Sequence, residues 1–176
     1  MIFAPPMPAE MSRLREYAQA LPKPARCVID SNVWIDILVF DDQDSRAIRD
    51  ALLDGALDAI ISPPCRAELE HVLAYPQFAA RTVDIAQALA WVDRHTRRLD
   101  GPADGAALRA LPQCRDPDDQ KFLELARDGA AHWLISKDKA LLRLKPRIAR
   151  DFGFQIVTAA TFSRLGALPA PPGMPE

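Results

Sequence analysis

With 176 residues, 49% of them apolar, the chain is long enough to bury a core of its own and too apolar to be a disordered polymer. A net charge of −2 and a pI near 5.9 give no global attraction to nucleic acid or to an anionic membrane. That argues against a nucleic-acid coat protein but not against an enzyme with a local basic groove. No apolar run reaches the roughly 18 residues that a membrane span needs. The start, MIFAPPMPAEM, is broken by Pro5, Pro6 and Pro8 where a secretory leader needs an apolar segment. Cys27, Cys65 and Cys114 lie far apart without a CxxC pair, the pattern of free, buried thiols in a reducing compartment. A cytoplasmic location is the expectation.

In chain order, residues 1–25 read as an extension: a proline-rich start, a helical stretch from Ala9 to Leu21, then PKP. The domain is expected over 26–165, followed by a proline-rich tail over 166–176. Cys27-Val-Ile-Asp30 is an apolar run ending in an acid, as in a buried strand with a carboxylate at its C-terminal end. Val33 to Phe40 reads as a helix, and Arg46 to Asp54 as another, closed by Gly55. Leu57 to Ile61 is a second strand. Ser62 suits an N-cap with Pro63 at the first helical position; the helix it opens carries Cys65, Leu69, Val72 and Leu73 on one face. A helix from Arg81 to Arg94 and a short strand from Thr96 to Leu99 follow, and Asp104 to Leu111 stays ambiguous. Asp116 to Asp128 is a helix ending at Gly129. Trp133 to Ser136 is a strand, then come Asp138, a basic helix, and a last strand from Phe154 to Val157. Strands alternating with helices predict an α/β fold, a parallel sheet covered on both faces, with its site at the strand C-terminal ends. Asp30 and Asp138 both fall there.

The acids that stand out are Asp30, Glu68, the cluster Asp116-Pro-Asp118-Asp119, and Asp138. Brought together, they repel, and they stay ionised side by side only if a cation neutralises them. All-oxygen donors select a hard ion, Mg²⁺ or Mn²⁺, over zinc. In order and spacing, CVIDSNVWIDIL, ISPPCRAELEHVLAYPQF and DPDDQKFLELARDGAAHWLISKDKALL resemble a PIN-domain ribonuclease, and more narrowly the PIN-type toxin components of bacterial toxin–antitoxin systems. The resemblance spans residues 26 to 160 or so. It implies a three-layer α/β/α fold and a Mg²⁺- or Mn²⁺-dependent nuclease site in which Asp30, Glu68, Asp119 and Asp138 take the family's four acidic positions. Ser31-Asn32 takes the place of the usual Thr-Asn pair. It also implies an RNA substrate, a small antitoxin covering the acidic groove, and homodimers as a common family state.

Each residue also has a plainer reading. Asp30 fits a cap on the next helix, and Asn32 fits a turn or a support for Asp30. Helical geometry barely separates Glu68 from Glu70, which border the same apolar face on opposite sides; the family pattern favours Glu68. Asp116 fits an N-cap, with Asp119 at the capping-box position, and is an additional ligand candidate. Asp119 shares a face with Phe122 and Ala126, which turns it toward the sheet, and Asp118 reads as solvated. Ser136 fits either a ligand-orienting role or a strand-end hydroxyl. Lys137, Lys139 and Arg143 belong to a basic stretch that could track RNA, although a solvated helix face explains them as well. His71, His95 and His132 show no metal spacing. Two other functions compete: a catalytically silent PIN-like module that binds RNA or protein, and a haloacid-dehalogenase-type phosphatase with Asp30 as nucleophile. The second wants an acid two residues on, where Asn32 stands.

Overall fold

The computed structural model describes residues 6–81, 83–102 and 109–166. Helix α1 (Pro8–Ala20) leads into β1 (Ala25–Ile29), which ends at Asp30. There follow α2 (Ser31–Ile35), a π-helical turn (Asp36–Phe40), a 3₁₀ turn (Gln43–Ser45), α3 (Arg46–Leu53) and β2 (Leu57–Ile61). Next come α4 (Pro63–Leu73), α5 (Pro76–Ala79), α6 (Ile85–His95) and β3 (Thr96–Arg98). A 3₁₀ turn (Pro117–Asp119) opens α7 (Gln120–Asp128), which is followed by β4 (Trp133–Ile135), α8 (Lys139–Leu142), α9 (Lys145–Phe152), β5 (Gln155–Val157) and α10 (Ala159–Gly166).

The strands form one sheet in the order β3-β2-β1-β4-β5, and every pairing is parallel. Helices flank the sheet, so the architecture is the three-layer α/β/α arrangement expected from the alternating pattern. The strands read as near-continuous apolar runs because both of their faces are covered: Cys27, Val28, Ile60, Leu134, Ile135 and Ile156 are all at most 2% exposed. The chain runs outward from β1 through β2 to β3, then returns to the other side of β1 for β4 and β5. The order therefore reverses between β1 and β4, and a crevice at the carboxyl ends of these two strands is where such sheets place ligands.

Several local expectations need correction. The helix read over Val33–Phe40 becomes α2 followed by a π turn, closed by Asp41 in the left-handed region at φ 46°. The helix read from Arg81 begins at Ile85, because the Asp84 carboxylate caps it by accepting from the Gln87 amide at 3.0 Å. Ser62 holds the N-cap position of α4 without a side-chain capping bond; Pro63 and Pro64 remove the first two amide donors. The ambiguous stretch 104–111 lies mostly outside the described residues, as does the tail beyond Gly166. Gly129, which ends α7, has no room for a side chain: a Cβ there would sit 2.1 Å from Ile60 Cδ1.

The segment read as an extension packs on the domain. Met11 and Leu14 of α1 are buried. The Tyr17 hydroxyl lies 3.0 Å from the carbonyl oxygens of both His132 and Gly153, and its ring meets Trp133 edge-on. Helix α1 therefore covers apolar surface that water would otherwise reach. Leu14→Ala is expected to lower unfolding free energy by about 2–5 kcal/mol, read as a lower denaturation midpoint at unchanged slope; a midpoint equal to wild type would mean that α1 lies outside the cooperative unit.

Candidate active site

Asp30 sits where β1 ends, 3% exposed. Its carboxylate is held at both oxygens. Oδ1 accepts the Asn32 amide at 3.1 Å, capping α2, and Oδ2 accepts the Ser136 hydroxyl at 2.5 Å. Ser136 stands at the end of β4, fully buried, and its oxygen in turn accepts the Asp138 amide at 3.0 Å. One hydroxyl thus ties the ends of β1 and β4 together across the switch point. Asn32 reaches Asp30 through its backbone, while its side chain is exposed. The Ser31 hydroxyl is buried and has no hydrogen-bond partner.

Asp138 caps α8 by accepting the Ala140 amide at 2.7 Å. Asp116 caps the 3₁₀ turn before α7 by accepting the Asp118 amide at 3.0 Å. That turn delivers Asp119 into the crevice, 7% exposed, with Oδ2 sealed from solvent and without a hydrogen-bond partner. Asp116, Asp119 and Asp138 each offer a carboxylate oxygen, and the three atoms lie within 4.8 Å of one another. Asp116, read as a cap with a possible second role, is therefore part of the close group, while Asp118 is exposed. Asp30 and Glu68 stand beside this trio rather than in it: each acts electrostatically on a neighbour, Glu68 on Asp30 and Asp30 on Asp119. Glu70 points away, 59% exposed, and pairs with Arg66. The structure thus separates the two glutamates that helical geometry alone barely distinguished.

The electrostatics are those of crowded, buried acids. Burial pushes the Asp30 carboxyl up, the bonds from Ser136 and Asn32 pull it back, and the charges of Asp138 and Glu68 push it up again. Asp119 is pushed up to about 7, first by burial, then by Asp138, Asp30 and Asp116. A buried oxygen without a partner, in a set made only of carboxylates, fits a hard divalent cation; nothing in the set offers sulfur or imidazole. Burial raises the Cys65 thiol, behind Glu68, to about 11, so no thiolate nucleophile is available there. The histidines are elsewhere: the His132 ring accepts the Arg26 amide at 2.9 Å, His95 stacks on Trp91 and His71 meets Tyr75 edge-on.

Two charged residues at the site escaped sequence reasoning. The Lys121 ammonium lies 2.6 Å from Glu68 Oε2. A lysine in the first turn of a helix opposes the helix dipole, and that mismatch was the available signal. Asp36 binds the Lys137 ammonium at 2.8 and 3.0 Å; no pattern links two residues so far apart in the chain. Lys137, proposed for RNA, is engaged with Asp36; Lys139, which opens α8, and Arg143, which follows it, are exposed.

Ser136→Ala removes both the donor to Asp30 and the acceptor for the Asp138 amide. It is expected to destabilise the protein by about 1–3 kcal/mol; a denaturation midpoint equal to wild type would contradict the bridge. Asp119 and Asp30 are held above their ordinary range, so the folded state prefers their neutral forms. The Asp119 contribution favours folding below the ordinary carboxylate range, near pH 4, and is lost as pH rises through about 7; that of Asp30 has the same sign. In EDTA, Asp119→Asn should therefore gain stability relative to wild type as pH is raised from 5 to 8; a difference that does not change with pH would refute the crowding.

A family model described as PIN domain matches residues 26–140, the stretch that carries every acid from Asp30 to Asp138. Among solved structures, the chain is similar to the crystal structure of PAE2754 from Pyrobaculum aerophilum, at 14% identity over 82% of this chain and 92% of that one, with a TM-score of 0.48. A comparison with curated proteins finds no match. The family match spans more than half of the chain, contains the whole acidic crevice and agrees with the parallel three-layer sheet: the chain belongs to the PIN-domain family.

Proposed function

We propose that this PIN-domain protein is a metal-dependent ribonuclease that hydrolyses RNA phosphodiester bonds, and that it serves as the toxin of a toxin–antitoxin pair. The observation that carries the hydrolytic reading is the trio Asp116, Asp119 and Asp138, with donor oxygens within 4.8 Å of one another and one buried oxygen left without a partner. A PIN domain is a nuclease-type fold, and its acids converge at the switch point of the sheet. The toxin reading rests on the sequence blocks that resemble PIN-type toxins. A small antitoxin laid over the acidic groove is the partner that this reading requires.

Asp119, Asp138 and Asp30 would hold Mg²⁺ or Mn²⁺, with Asp116 as a further donor. Such an ion, when bound, supplies a water of lowered pKa and stabilises charge on the leaving oxygen. The chain's own residues do the positioning. Ser136 holds Asp30 and the start of α8 with one hydroxyl, through two hydrogen bonds, so the acids that follow β1 and β4 keep their separation. Lys139 and Arg143, on the rim beyond Asp138, provide positive charge for a phosphate backbone. Asp30 is an unsuitable covalent nucleophile: both of its oxygens accept hydrogen bonds and it is buried. That argues against the phosphatase reading.

Mixed single-stranded and structured RNAs incubated with the protein should be cleaved in Mn²⁺ or Mg²⁺ and left intact in EDTA. Asp30→Asn should abolish cleavage while circular dichroism stays that of the wild type. Cleavage retained in EDTA, or by a folded Asp30→Asn, would refute this mechanism, and Mn²⁺ binding without cleavage of any RNA would favour a silent binding module.

A further inference from the structure

Lys121 has no role in the reading above, yet its side chain is built into the acidic crevice. Its ammonium sits 2.6 Å from Glu68 Oε2, with the two side chains 21% and 27% exposed. The same ammonium donates to the Asp118 carbonyl and lies 5.2 Å from the centre of the Phe122 ring, in cation–π range. Three contacts hold one cation, at the helix end where the dipole disfavours it. Glu68 Oε2 is sealed from solvent and makes no aligned hydrogen bond, so the ammonium is the charge compensation that the contacts give it. The carboxylates close enough to share an ion are Asp116, Asp119 and Asp138; Asp30 and Glu68 both stand beside that group, and of the two Glu68 is the one paired with an ammonium.

We infer that Lys121 is a resident cation occupying the place beside Glu68 that a second divalent ion would otherwise take, so that the site takes a single Mn²⁺ or Mg²⁺. The inference rests on the metal-dependent reading and deepens it. Glu68 then contributes no donor to that ion; it positions Lys121, which neutralises one side of an acid cluster whose charges already act on one another. The Glu68 carboxylate stands beside a cluster that is already acidic, and the ammonium at 2.6 Å offsets it where it stands. A monovalent ammonium, tethered and unable to dissociate, stabilises the fifth carboxylate without requiring a second free ion.

The test is calorimetric titration of the full-length protein with Mn²⁺ alone, with bound ion counted in parallel by the loss of the free Mn²⁺ resonance signal. No substrate is present, so the readout is independent of activity. Wild type should bind one ion. Lys121→Met, which keeps length and apolar packing over Phe122, should bind two, and Lys121→Arg, which keeps a cation beside Glu68, should return to one. Lys121→Gln is the second neutral variant should Lys121→Met fail to fold, as judged by circular dichroism. Two ions in wild type would overturn the inference. So would a stoichiometry of one in the folded neutral variants. If neither wild type nor the variants bind Mn²⁺, the metal-dependent reading itself fails, a result distinct from binding with unchanged stoichiometry.

Discussion

The interaction on which the site depends is the Asp30–Ser136 hydrogen bond at the ends of β1 and β4. It joins two strands that are neighbours only because the chain reverses its direction of growth across the sheet. A parallel sheet covered on both faces leaves its strand ends as the place where polar groups can gather without breaking the core. One buried carboxylate there is tolerable because two donors hold it. The others arrive by a different route: each caps a short helical element, Asp138 that of α8 and Asp116 the turn before α7. Capping satisfies part of each carboxylate and aims the remainder at the crevice. The helix starts therefore serve local stability and the acid cluster with the same side chains.

Asp119 is the exception, and it explains the electrostatics of the rest. It stands at the junction of the 3₁₀ turn and α7, caps nothing and keeps a buried oxygen without a partner. Burial and three neighbouring acids raise its pKa to about 7, a cost that the fold alone does not relieve. Lys121 relieves the crowding only on the Glu68 side. The asymmetry, one flank neutralised by a tethered ammonium and the other left as bare carboxylate, is what makes the crevice suited to a cation rather than merely acidic. The global charge of −2 conceals this, since surface lysines and arginines balance it elsewhere.

Much of this was legible in the sequence because it obeys short-range rules. The apolar runs CVI, LDAII and WLI mark buried strands, and an acid one or two residues past such a run falls at a strand end. The Asp-Pro-Asp-Asp cluster announces a helix start with more carboxylates than capping uses. What stayed hidden depends on tertiary contacts or on the third residue of a turn. A helical wheel barely separates Glu68 from Glu70, and only the ion pair with Lys121 of α7 shows which one faces the crevice. The π turn at Asp36–Phe40 leaves the 3.6-residue period without an announcing proline or glycine. The Asp36–Lys137 pair joins distant parts of the chain, and Ser62 looked like a capping serine although the prolines after it supply no amide. The opening residues looked like an appendage because prolines flank them, yet α1 buries Leu14 and lays Tyr17 against β4.

The central claim is that the acids at the ends of β1 and β4 and at the start of α7 form one divalent-cation site with Lys121 on its flank. Crystals grown with Mn²⁺ and measured at the manganese absorption edge test it directly. The account predicts a single anomalous peak among Asp30, Asp116, Asp119 and Asp138, with the Lys121 ammonium still against Glu68. A peak bound by Glu68 with Lys121 displaced, or no peak in the crevice at saturating Mn²⁺, would contradict it.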